Sequence, residues 1–87
     1  MNERTNITIK FSQSAFKHGV TEEDILNVVI NVVYDDILDE FDDKYLMIGF
    51  DGKGKLLEIL YHVINDDAIR VFHAMKCRNS FIDLLKK

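Results

Sequence analysis

Alternation of apolar and polar positions is clearest between Lys44 and Arg78, where KYLMIGF, KLLEILYHV and AIRVFHAMKCR read as three strands separated by turns. Asp51-Gly52-Lys53-Gly54 divides the first two runs. Its glycines can take the positive φ angles that a tight hairpin needs. Asn65-Asp66-Asp67 divides the second from the third. Pairing Phe50 with Lys55 across the first turn sets Ile48 opposite Leu57 and Leu46 opposite Ile59. Leu46, Ile48, Leu57, Ile59, Tyr61, Val63, Ile69 and Val71 then share an apolar face expected to pack on helices. Tyr45, Met47, Glu58, Leu60, His62, Arg70 and Phe72 occupy the other. A one-residue slip in the second turn would instead place Arg70 in the core, at a large desolvation cost.

The N-terminal half is organised by the same logic. Ile7, Ile9 and Phe11 alternate with Thr8 and Lys10 as in a half-buried strand. Ser12 to Lys17 fits one short helical turn, which His18-Gly19 ends. Thr21 with Asp24 three residues on predicts a capping box, and Glu22, Glu23 and Asp24 suit the positive end of the helix dipole. Ile25, Leu26, Val29, Ile30, Val32 and Val33 supply the apolar face of that helix. Its β-branched content means that packing rather than propensity must hold it. Asp35 to Asp43 fits another helical turn anchored by Ile37, Leu38 and Phe41, but reads slightly better as a short edge strand over Ile37 to Phe41, its acids discouraging unwanted pairing, or as an irregular connection. After a turn at Lys76 to Asn79, Ser80 with Asp83 predicts a second cap. Phe81, Leu84 and Leu85 give a short helix its stripe, docked on the sheet edge or the first helix. The expected fold class is α+β: one domain over residues 1–87, with a small antiparallel sheet of three to five strands packed on one face by helices.

Eighty-seven residues leave room for one core. Cys77 is the only cysteine, so a disulfide scaffold is excluded and a reducing cytoplasm is expected. No apolar run approaches the roughly 18 residues of a membrane span, and MNERTNITIK is too polar for a signal peptide. The net charge of −4 is unevenly spread. Residues 21–43 carry nine acids and no base, whereas residues 44–87 carry eight bases against five acids. Any nucleic-acid contact must therefore avoid the acidic segment.

Several groups could carry chemistry. Glu58, His62 and Arg70 share the polar sheet face, with His62 across from Arg70. They read either as base, acid and phosphate clamp or as an ion pair with a surface histidine. Strict alternation sends His73 to the core face, although a bulge at the strand end would redirect it. Lys76 and Arg78 flank a helix start, where backbone N–H groups also favour an anion. The same two charges could lower the Cys77 pKa. His18 sits in the Lys17-Gly19 turn. The three histidines lack metal-ligand spacing, so neither a metal nor a cofactor is expected. No nucleotide loop, Ser–His–Asp pattern or zinc motif is present, and DGKG between two strands is a turn rather than a phosphate loop.

The strings KHGVTEEDI, LMIGFDGKGKLLEILY and IRVFHAMKCRNSFIDLL, in this order over residues 11–85, resemble the BrnT-like toxins of the wider RelE/ParE group. The likeness is to members with "HAM" where the others carry a serine and more arginines. It implies a compact α+β toxin acting as a metal-independent endoribonuclease and neutralised by a cognate antitoxin protein. By that resemblance Glu58 or His18 is the base that activates a ribose 2′-hydroxyl, and His73 is the acid. Arg70, Lys76 and Arg78 are phosphate clamps, and Lys55 and Tyr45 further RNA contacts. RNA is the implied substrate, no membrane is involved, and a homodimer stays open. The acidic balance is a departure from these commonly basic toxins. The competing expectation is a non-catalytic interaction module that docks a basic partner on Asp35 to Asp43.

Overall fold

The computed structural model describes residues 7–86. The chain runs through β1 (Thr8–Phe11), a 3-10 turn (Gln13–Phe16), α1 (Glu22–Ile30), β2 (Val32–Asp39), β3 (Lys44–Phe50), β4 (Leu56–Asn65), β5 (Ala68–Lys76), α2 (Asn79–Ile82) and a closing 3-10 turn (Asp83–Lys86). It is an α+β domain with a five-stranded sheet in the order β1-β5-β4-β3-β2. Strands β2 to β5 follow one another antiparallel, and β1 adds beside β5 in parallel, so the sheet is mixed. Among the described residues no helix is long and apolar enough to cross a membrane.

Thr21 opens α1 as its sequence predicts. Its hydroxyl accepts from the Asp24 N–H (3.1 Å), and its own N–H donates to the Asp24 carboxylate (3.0 Å). The helix is shorter than expected. It stops at Ile30, and Val32 and Val33 begin β2 instead of completing the helical face. β-Branched residues on both sides of Asn31 favour a strand once a neighbour supplies hydrogen bonds. The Asn31 carbonyl accepts from the Phe50 N–H (3.3 Å). Gly49 permits this close approach, because a Cβ there would lie 2.8 Å from the carbonyl oxygens of Val28 and Asn31. The open question over Asp35 to Asp43 resolves into the rest of β2 and a turn, in which Asp39 accepts the N–H groups of Phe41 and Asp42.

The first hairpin corrects the expected register. Phe50 pairs with Leu56, Ile48 with Glu58 and Leu46 with Leu60, one residue away from the predicted pairing. The cause is Asp51. Its N–H donates to the Lys55 carbonyl (2.9 Å), and its carboxylate accepts the N–H groups of Lys53 and Lys55, both at 2.8 Å. The loop therefore closes at Lys55, and only Gly54 of its two glycines takes a positive φ (85°). A one-residue slip exchanges faces along a strand. Tyr45 and Met47 thus join Leu57, Ile59, Tyr61 and Val71 against Ile25 and Val28 of α1. Leu46 and Ile48 lie on the opposite face, beneath Phe81, Ile82, Leu84 and Leu85. Both faces are covered, in place of one greasy face and one polar face. The C-terminal turns dock on the second face rather than on an edge or on α1. Arg78 is the N-cap of α2, so Ser80 and Asp83 do not form the predicted cap.

The second hairpin keeps the expected parity, with Tyr61 opposite Val71, His62 opposite Arg70 and Val63 opposite Ile69. Asn65 closes its turn by accepting the Asp67 N–H (2.8 Å). The ladder then slips by one residue: Tyr61 pairs with Val71 and Leu60 with His73, leaving Phe72 as the extra residue of a β-bulge.

Candidate functional site

The Phe72 bulge decides where the chemistry gathers. Strict alternation would turn His73 toward α1. The extra residue instead puts it on the face of Leu60 and Glu58. There His73 Nε2 lies 2.8 Å from Glu58 Oε2. The bulge also anchors the segment before α1. Strand β1 ends at Phe11, and the Gln13–Phe16 turn takes its place along β5. The Ser12 N–H donates to the Val71 carbonyl (2.9 Å) and the Ser14 hydroxyl to the Phe72 carbonyl (2.6 Å). The turn that follows, with Gly19 at φ 83°, sets the exposed His18 ring edge-on to His73, centroids 5.6 Å apart at 74°.

Glu58 is the buried hub of this cluster, with no exposed surface. Its Oε1 accepts the Arg78 backbone N–H (2.9 Å) and Nε–H (3.0 Å), and its Oε2 accepts Arg78 Nη2 (2.6 Å) as well as His73. Burial pushes the Glu58 pKa up, but the Arg78 guanidinium, the Arg78 N–H and His73 outweigh it and hold the carboxyl below its ordinary value. The hydrogen bond to Glu58 in turn raises the Arg78 pKa. The guanidinium is half-exposed and stacks 4.5 Å above the Phe81 ring, so one side holds Glu58 while the rest meets water. An ionised Glu58 accepts from the His73 Nε2–H, which leaves Nδ1 as the acceptor of the neutral ring.

The structure brings together Glu58, His73, Arg78 and His18 from the residues singled out in the sequence, and separates the rest. Glu58 is not placed to act as a base, because its oxygens are buried and filled. Arg70 does not join it. Arg70 pairs with His62 and with Lys10 of β1, and His62 lies four β4 positions beyond Glu58, about 13 Å along a strand. The expected Glu58, His62 and Arg70 group is thus divided, and His62 instead stacks on Phe72 (4.5 Å) with Nδ1 3.0 Å from the Asp43 carbonyl. Tyr45 leaves from the α1 face, where it packs half-buried against the core and stacks on Tyr61 (5.4 Å), away from the Glu58 face. Lys76 pairs with Leu57 and so also leaves from the α1 face. Lys55 stays at this end of the sheet, in the Asp51 loop. Cys77 is buried, and burial together with Glu58 pushes its pKa up, the reverse of the expected activation.

Sequence reasoning missed the Glu58–Arg78 pair. The available signal was a lone acid in an apolar strand, since a buried carboxylate demands a partner. Among the described residues no three His, Cys, Asp or Glu side chains converge as a metal site would need. The chain matches no family model, no curated protein and no solved structure, so its site is read from geometry alone.

Proposed function

We propose that the protein is a metal-independent endoribonuclease whose acid–base pair is His73 and His18. The observation that carries this reading is the His73 Nε2 to Glu58 Oε2 bond of 2.8 Å, with the exposed His18 ring beside it. A buried carboxylate that fixes one imidazole nitrogen leaves the other aimed for proton transfer, as in other carboxylate-oriented bases. His73 Nδ1 takes the proton of a ribose 2′-hydroxyl, and the 2′-oxygen attacks the adjacent phosphorus. The phosphorus–5′-oxygen bond breaks, and His18 in its protonated form gives its proton to the leaving 5′-oxygen. The products are a 2′,3′-cyclic phosphate and a 5′-hydroxyl. The half-exposed Arg78 guanidinium faces the charge that develops on the phosphate. Glu58 is a positioning residue. His73 thereby takes the role of base that the resemblance gives to Glu58 or His18, and His18 takes the role of acid that it gives to His73.

The KHG turn and the I-R-V-x-H-A string, which resemble BrnT-like toxins, supply both imidazoles of this cluster. In that context the protein acts in the cytoplasm and is held inactive by a cognate antitoxin. The test is incubation of the purified protein with single-stranded RNA in excess chelator. Products ending in 2′,3′-cyclic phosphate are expected, and an all-2′-deoxy copy of the same strand should stay intact. Intact RNA, or equal cutting of the deoxy strand, would overturn the reading.

A further inference from the structure

Strand β2 is the last in the sheet order, and within the described residues its outer edge pairs with nothing. Its eight residues are irregular at Val33 and Leu38, but the regular stretch 34–37 between them stays uncovered, an edge that natural sheets usually shorten, twist or cover. Apolar side chains accompany it: Val32, Val33 and Leu38 are exposed, and Phe41 in the following turn is wholly so. Beside the start of the strand lies an apolar cleft of about 510 Å³ lined by Val33, Tyr34, Phe50, Leu84 and Leu85. The rest of the strand carries Asp35, Asp36 and Asp39, with Glu40, Asp42 and Asp43 in the turn beyond.

We infer that β2 receives an extended basic segment of a partner protein as a sixth strand, with one apolar side chain of that segment seated in the Val33–Leu85 cleft. Backbone groups of the open edge supply the pairing, and the cleft supplies the anchor. Charge selects the occupant. A second copy of this chain paired antiparallel about the middle of β2 would set Asp35 and Asp36 against Asp35 and Asp36, and like charges opposite one another repel. A strand bearing Lys or Arg at alternate positions presents them on one face, where Asp36 and Asp39 meet them favourably. This surface serves binding whether or not the His73 cluster cuts RNA.

The test uses the full chain and three synthetic peptides: acetyl-Leu-Val-Lys-Val-Lys-Val-Lys-amide, the same peptide with Glu for Lys, and the Lys peptide with its central Val replaced by Pro. Amide shifts over Val32–Asp39 on titration, with at least about tenfold tighter binding of the Lys peptide than of either control, are expected. That affinity should fall as ionic strength rises to about 1 M, where screening is nearly complete within about 3 Å. The substitution Asp36→Lys should weaken the Lys peptide and strengthen the Glu peptide. Equal binding of the Pro peptide would reduce the effect to bare charge and overturn the inference. So would absence of binding, shifts confined to other strands, or sedimentation of the protein alone as a dimer that protects the β2 amides.

Discussion

Glu58 and Arg78 meet through both the backbone and the side chain of the arginine: the Arg78 N–H and its guanidinium all donate to one fully buried carboxylate. The two ends of this pair differ in solvation. Glu58 is enclosed, while Arg78 is half-exposed. Removing either partner therefore has unequal consequences.

Arg78→Ala should cost about 3 kcal/mol, because it strips the guanidinium from a buried charge. Glu58→Gln should cost less, about 1–2 kcal/mol, because Arg78 and His73 can regain water. Urea unfolding of the two variants checks the order. The reverse order would mean that Glu58 is solvated in the folded protein.

The same pair sets an acid limit on stability. The folded-state pKa of Glu58 lies below the ordinary 4.5, so its contribution is complete above that pH and is lost as pH falls through the folded value. Asp35 acts in the opposite sense. Burial raises its pKa above 3.8, so its unfavourable ionisation fades on acidification. Comparing the wild type with Glu58→Gln cancels the Asp35 effect. The stability gap between them should hold at neutral pH and narrow below about pH 4.5. A gap that stays constant into strong acid would contradict the assigned direction.

Gly49→Ala should destabilise by about 1–3 kcal/mol, the usual cost of forcing atoms into a packed site. Its Cβ would meet two carbonyl oxygens at 2.8 Å, and backbone cannot swing aside as a side-chain tip does. Thermal unfolding reads the effect. An unchanged midpoint would show that the end of α1 lies farther from β3.

Much of the architecture was legible from local signals. The Thr21–Asp24 box, the three central strands and the pairing of His62 with Arg70 follow from short-range chemistry, and each is present. The first hairpin was not legible, because turn length counted from glycines ignored Asp51. Its carboxylate draws Lys55 into the loop and shifts the register by one. That slip hid the second core, and with it the burial of Glu58. His73 reached the Glu58 face through a bulge at Phe72 that alternation alone cannot locate. The His18 contact depends on Ser14 gripping that bulge, a tertiary bond with no sequence signature.

If His18 and His73 act as one catalytic unit, removing either imidazole disables the other. Initial rates of RNA cleavage in chelator should be measured for the wild type, His18→Ala, His73→Ala and the double variant, each shown to be folded by circular dichroism. Each single change should lower the rate by about 10²–10⁴, and the double variant should be little slower than the worse single one. Wild-type rates in either single variant, or losses that simply multiply in the double, would contradict it.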